Sequence, residues 1–229
     1  RDPGRAPGRA VLRVDVRPGP GLVIGAGLAG ASVAASLARR GWQVQVLDAG
    51  AAPATGASGL PAGLLAPHVS PDDSLLSRLS RAGVRATLQQ AQTSLKHGVD
   101  WQATGVLEHR VDGSPGLATT AHNTSLPASA ATLAAAGLPP DTVACWHSTA
   151  GWIKPARLVA ELLAQPGITF VPNSAVAQLL PQGDGWHALD AHGQVLASAN
   201  MVVVAAAFAS GVMLNTPLPL QAIRGQMSW

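Results

Sequence analysis

The stretch GLVIGAGLAGASVAASLARRGWQVQVLDAG, residues 21–50, places Gly25, Gly27 and Gly30 after a short aliphatic run and ends near a lone acid, Asp48. No charged side chain occurs from Gly21 to Ala38, so a membrane span, a buried hairpin and a nucleotide cradle all come into question. A span is nominally long enough, but the segment is mostly Gly, Ala and Ser, which add little transfer free energy. Its large aliphatics split into Leu22, Val23 and Ile24 before the glycines and Leu28, Val33 and Leu37 after them. That switch from a continuous apolar run to helical spacing predicts a strand, a tight turn and a helix.

In such a unit each glycine has a task. Gly25 permits the sharp strand exit, Gly27 lets backbone approach a diphosphate, and Gly30 lets the helix pack on the strand. The diphosphate would meet the free N–H groups and positive dipole end of the helix, along Gly25, Ala26, Gly27, Leu28, Ala29 and Gly30. Gly41 ends the helix, Val44, Val46 and Leu47 form a second strand, and Asp48 follows 18 residues after Gly30. There its carboxylate can accept from both ribose hydroxyls of an adenosine.

The chain of 229 residues is 47% hydrophobic, enough to bury a sizeable core, and its bulk comes from Ala, Leu and Val since it has six Trp, two Phe and no Tyr. The net charge of +3 resides wholly in residues 1–17, where five arginines face two aspartates; residues 18–229 hold ten bases and ten acids. A basic footprint for nucleic acid is therefore expected only in that Arg, Gly and Pro-rich head, which otherwise reads as a solvated linker. A single cysteine, Cys145, excludes an internal disulfide. With no signal-peptide pattern at the start and no convincing span, a cytoplasmic protein is expected.

The glycine pattern suits NAD and FAD alike. The next segment, ATGASGLPAGLLAP at 54–67, reads as a small-residue loop able to lie along a cofactor, with backbone donors at Ala57, Ser58, Gly59 and Gly63. Residues 74–97 read as a helix with Leu75, Leu76, Leu79, Val84 and Leu88 at helical spacing and Asp72 and Asp73 near its start, stopping at Gly98. TGVLEHRV reads as a strand, 113–129 as loop, and 129–136 as a short helix. TVACWHS is a strand that puts Cys145 and His147 on one face, where ordinary packing is favoured over a nucleophile or metal pair. KPARLVAELLAQPG is a helix with Pro155 in its first turn, ITFVPNSAVAQLL is strand material, DGWHALDAHGQVL a hairpin, and MVVVAAAF a buried strand rejoining a parallel sheet.

Taken together, Gly25 to Asp48, GASGLPAGLLAP, GWIKPARLV and RGQ resemble the FAD-dependent oxidoreductases of the D-amino-acid oxidase and glycine oxidase type. SRLSRAG at 77–83, with the loop and GWIKPARL, is most similar to the C-terminal oxidoreductase domain of bifunctional enzymes that build 5-methylaminomethyl-2-thiouridine in tRNA. The resemblance spans about Gly21 to Trp229 and implies an α/β fold. Its FAD-binding domain would be Rossmann-like, of the glutathione-reductase type, and formed by 20–70 and 155–209. An interleaved α+β substrate domain would comprise 71–154 and 210–229, incomplete at its end. Residues 1–19 would be the linker from an upstream methyltransferase, fused or separate.

The resemblance further implies that FAD is the cofactor, that Leu64 joins the loop donors in holding it, and that Val176 meets the adenine through its backbone. Leu60 and Ala207 stand where the family usually has Asn and Gly, so fewer polar contacts and a less close approach to the flavin are expected there. Arg224 of RGQ is a candidate carboxylate clamp, and His68 is expected as a surface residue at the domain boundary. The implied reaction is oxidation beside an amine nitrogen: a carboxymethylaminomethyl group on the wobble uridine of tRNA would lose its carboxymethyl part as glyoxylate. Oxidation of a free amino acid such as glycine, a non-catalytic nucleotide-binding fragment packing on a partner, and an NAD-dependent dehydrogenase are the alternatives. No catalytic side chain and no metal ligand is assigned.

Overall fold

The computed structural model describes residues 17–229 except 112, 115, 118–123, 215, 224 and 227–229. Most of the Arg-rich head, and Arg224, therefore lie outside the described residues.

Strand β1 (Pro20–Ile24) leads through the glycine turn into helix α1 (Leu28–Ala38) and on to strand β2 (Gln43–Leu47), parallel to β1. The stretch that raised the membrane question is thus divided between a strand and a helix. Among the described residues no helix is long and apolar enough to cross a membrane. A 3-10 turn at Ala57–Gly59 and strand β3 (Gly63–Leu65) follow, then helix α2 (Leu75–Ser94). Strands β4 (Trp101–Gln102), β5 (Val106–His109) and β6 (Ser125–Pro127), helix α3 (Ala130–Ala135), and strands β7 (Ala144–His147) and β8 (Gly151–Ile153) make up the middle of the chain. Helix α4 (Pro155–Leu163), with its proline in the first turn, returns to strand β9 (Ile168–Val171), parallel to β2. Strands β10 (Gln178–Gln182), β11 (Gly185–Leu189) and β12 (Val195–Ala199) form an antiparallel meander. Strand β13 (Met201–Val204) then pairs in parallel with β1, and helix α5 (Ser210–Met213) follows.

The main sheet has the order β13-β1-β2-β9. Leu22, Val23, Ile24, Val44, Val46 and Leu47 are each at most 3% exposed, as expected for strands covered on both faces. One face carries α1 and α4; the other is covered by the meander through Val176, Leu179, Ala188 and Ala199. Each large aliphatic so enclosed contributes about 1.5–3 kcal/mol. α1 presents Ala31, Ala34 and Ala35 inward, all fully buried, so helix and sheet approach closely. The other two sheets, β3-β8-β4 and β5-β7-β6, are small and antiparallel.

Several expectations need correction. The 54–67 loop contains β3, and the 113–129 loop contains β6; both are three-residue strands pairing with partners distant in sequence. The expected 74–97 helix ends at Ser94, with a separate turn before Trp101 in which Gly98 has φ +74°. Ser74, rather than Asp72 or Asp73, caps α2, its hydroxyl accepting from the Ser77 amide. The buried stripe of α2 is Ser77, Val84 and Ala91, spaced by seven, so Leu75, Leu76 and Leu79 face outward at 59–62% exposure. Strand β13 is half-buried rather than buried, because it forms one edge of the main sheet.

Candidate functional site

At the C-terminal end of the parallel sheet, where crossovers leave β1 and β2, lies a cavity of about 490 Å³. Open α/β sheets bind ligands in this position, and the volume falls in the usual range for small-molecule sites. Its walls come from five segments: the β1–α1 turn, the end of β2, the 54–58 loop, residues 174–176 after β9, and residues 205–213 after β13.

The turn is built as the glycine spacing requires. Gly25 has φ +107°, and an added Cβ would stand 2.5 Å from the Ala205 carbonyl oxygen. A Cβ on Gly30 would overlap the Gly25 carbonyl oxygen, so only glycine lets α1 begin so close to the strand exit. A Cβ on Gly27 would come within 3.1 Å of the Ser58 hydroxyl. That hydroxyl accepts from the Leu28 amide at 3.0 Å, meeting one of the first-turn donors that lack an intrahelical acceptor.

Asp48 closes the other side. Its Oδ2 accepts from the Ala26 amide at 2.7 Å and its Oδ1 from the Gly50 amide at 2.8 Å. Its carbonyl accepts from the Ser174 amide at 2.7 Å, which joins the post-β9 segment to the same corner. Each carboxylate oxygen keeps a further lone pair, so the group still has capacity for hydroxyl donors. Val176, 6% exposed, completes an apolar wall with Leu47 and Ile24.

Of the residues singled out from sequence, Gly25, Gly27, Leu28, Ala29, Asp48, Ala57, Ser58 and Val176 line this one cavity. Ala26 and Gly30 support it from behind, fully or nearly buried. Gly59 packs against Ala54, its Cβ position overlapping the Ala54 carbonyl oxygen. Gly63 and Leu64 sit in β3, paired with β8, and the Leu64 side chain is 72% exposed and away from the lining. His68 is exposed and outside the lining, with Nδ1 3.1 Å from the Ser77 hydroxyl in a serine network.

Sequence reasoning missed Ala54, Thr55, Ser174, Ala205 and Ala206 as lining residues, whereas Ala207, expected near the cofactor, does line the cavity. The only available signal was indirect: Asn173, next to Ser174, is a residue type that tolerates the left-handed region, and it has φ +51°. Ala54 and Ala207 also have positive φ, +60° and +49°. At Ala207 the usual family residue is Gly, and the backbone keeps the conformation that glycine would favour.

The Cys145 and His147 pair lies inside the β5-β7-β6 sheet, both fully buried. His147 Nδ1 is 2.8 Å from the Ser125 hydroxyl and its Nε2 3.0 Å from Glu108, which also meets Arg110. This order of groups resembles a catalytic triad, but Ser125 is only 8% exposed and His147 not at all, so the network is closed to substrate. Burial, with Glu108 adding to it against an opposing effect of Arg110, pushes the Cys145 thiol up to about 11. Among the described residues no cluster of three His, Cys, Asp or Glu could hold a metal ion.

The sheet order, the glycine turn and the acid at the end of β2 define a dinucleotide-binding fold, and the chain belongs to the FAD dependent oxidoreductase family, whose pattern matches residues 22–229. It is 57% identical over 225 residues to the tRNA 5-methylaminomethyl-2-thiouridine biosynthesis bifunctional protein MnmC of Polaromonas naphthalenivorans, over 91% of this chain and 35% of that protein. To the MnmC protein of Paracidovorax citrulli it is also 57% identical, over 95% of this chain and 36% of the relative. The chain thus spans about a third of the length of these curated relatives. Among solved structures, glycine oxidase from Geobacillus kaustophilus shares the fold with TM-score 0.62 at 17% identity, covering 84% of this chain and 56% of that one. Fructosamine oxidase from Aspergillus fumigatus shares it with TM-score 0.64 at 19% identity, over 87% and 51%.

The residues present suit the family's cofactor. A turn that needs glycine at 25 and 30, an open helix N-terminus and a carboxylate with spare lone pairs match the diphosphate and ribose of FAD.

Proposed function

We propose that this chain is the FAD-binding part of an enzyme that oxidises a secondary amine on tRNA. It would remove the carboxymethyl group from carboxymethylaminomethyl-uridine at the wobble position, with water completing release of glyoxylate. The observation that carries this reading is the Asp48–Ala26 clamp on the glycine turn, in a chain 57% identical to proteins named for tRNA 5-methylaminomethyl-2-thiouridine biosynthesis. When bound, FAD supplies the electron sink for hydride leaving the carbon beside nitrogen.

The chain's own residues bind and orient. The amides of Gly27 and Ala29 face the diphosphate, helped by the positive end of α1, while the Ala26 and Leu28 amides are taken up by Asp48 and Ser58. Asp48 accepts from the ribose hydroxyls, and the backbone near Val176 meets the adenine. Ser58, already an acceptor for Leu28, still has a hydroxyl proton to donate to a phosphate oxygen. Leu47, Val176 and Met213 give the adenosine end apolar walls that exclude water. The division into a cofactor part (20–70 and 155–209) and a substrate part (71–154 and 210–229), with Arg224 holding a substrate carboxylate, belongs to the same proposal. So do action in the cytoplasm and the company of a methyltransferase, consistent with relatives called bifunctional.

The test is to purify the protein, record its flavin spectrum, and assay tRNA bearing carboxymethylaminomethyl-uridine and free glycine side by side. Glyoxylate from tRNA supports the reading; turnover of glycine alone overturns it.

A further inference from the structure

A second cavity, of about 420 Å³, lies on α2 away from the cofactor site and is lined by Pro67, Arg78, Arg81, Arg85, Thr124 and Thr149, with Val84 at its floor. The three arginines occupy positions i, i+3 and i+7, which share one helix face, and α2 contains no acidic residue. From Arg78 to Arg85 the helix rises by about 10 Å. Arg81 is held in place by Asp73 at 2.6 Å. Arg78 and Arg85 are exposed and have no carboxylate within salt-bridge distance among the described residues. Beyond residue 17 the chain is electrically balanced as a whole, so this cluster is a segregation of charge and no mere sign of a basic protein.

We infer that this arginine face of α2 holds the sugar-phosphate backbone of the tRNA substrate. The inference rests on the tRNA reading above and adds a docking surface to it. The chemistry is one-sided: guanidinium groups offer only donors, in a fork matched to phosphate oxygens, and the threonine hydroxyls can donate as well. A row of donors extending over about 10 Å along an open groove suits a repeating anion better than one small anion, which requires convergent and enclosed donors. Nucleic-acid backbones are recognised in this way, with such contacts fixing the register of the substrate while other groups read the base.

The experiment measures binding of unmodified tRNA as a function of salt for the wild-type protein, for Arg78→Ala with Arg85→Ala, and for the control Arg39→Ala with Arg40→Ala near the end of α1. All targeted side chains are exposed, and circular dichroism checks that each variant is folded. The inference expects the slope of log affinity against log salt to fall by about 1.4–1.8 in the α2 variant, two phosphate contacts at about 0.7–0.9 each, with no change in the control. Wild-type affinity and slope in the α2 variant would overturn the docking surface and leave the tRNA reading intact, as would an equal loss in the control. Failure of the wild-type protein to bind tRNA while it retains FAD would overturn both.

Discussion

Asp48 Oδ2 accepts from the Ala26 amide at 2.7 Å, so the residue that closes β2 fixes the turn leaving β1. One carboxylate thereby shapes the cradle and forms part of it. The remaining oxygen of Asp48 holds Gly50, and its main chain holds Ser174, which brings three separate segments to one corner.

Replacing Asp48 by Ala removes acceptors for the turn and for the ribose together. Hydrogen bonds to a charged group contribute about 1.5–3 kcal/mol, so FAD affinity is expected to fall by roughly 10- to 100-fold. Asp48→Asn keeps one acceptor oxygen and should fall between Ala and wild type. Fluorescence titration with FAD measures both.

Two glycine-to-alanine changes should move stability in opposite directions. Gly30→Ala drives a methyl into the Gly25 carbonyl and is expected to cost about 3 kcal/mol and to weaken FAD binding. Gly83→Ala, inside α2 with nothing within 4 Å of its Cβ position, should stabilise by about 1 kcal/mol. Thermal unfolding of the two variants reads the difference.

Ala207 stands at φ +49°, in the left-handed region that costs a non-glycine residue about 1–2 kcal/mol. Ala207→Gly should therefore raise the melting temperature, the strain relief outweighing the entropy of an added glycine. A lowered melting temperature would show that the backbone at 207 is not strained.

Burial holds the Cys145 thiol up at about 11, against an ordinary value of 9.0. The native protein should resist alkylation at pH 8 and react at the rate of a free thiol only when unfolded. The sign for stability follows: the unfolded chain releases this proton above pH 9.0 while the folded chain keeps it until about 11, so this group lowers stability as pH rises between those values. Cys145→Ser or Cys145→Ala should flatten that part of the pH profile.

The cradle was legible in the sequence because its signals are local. Gly25, Gly27 and Gly30 mark a turn, Ala31 to Ala35 mark a thin helix, and Asp48 follows at a fixed distance. Strands β3 and β6 were not legible, since three residues carry no period and their partners β8 and β7 lie far along the chain. The leucines of α2 misled because Leu75, Leu76 and Leu79 fit a helix without lying on its buried stripe. The part played by Val176 came from family resemblance; no pattern in the chain pointed to it. The arginine face of α2 was hidden by a neutral overall balance, although the spacing of Arg78, Arg81 and Arg85 was visible. Charge totals say nothing about segregation, which only the helix face displays.

The most direct test of the central claim is a crystal structure of this chain with FAD. The ribose hydroxyls should lie within hydrogen-bond distance of Asp48, and the diphosphate against the Gly27 amide and the Ser58 hydroxyl. An adenosine end bound elsewhere, with Asp48 still engaged only by Ala26 and Gly50, would contradict it.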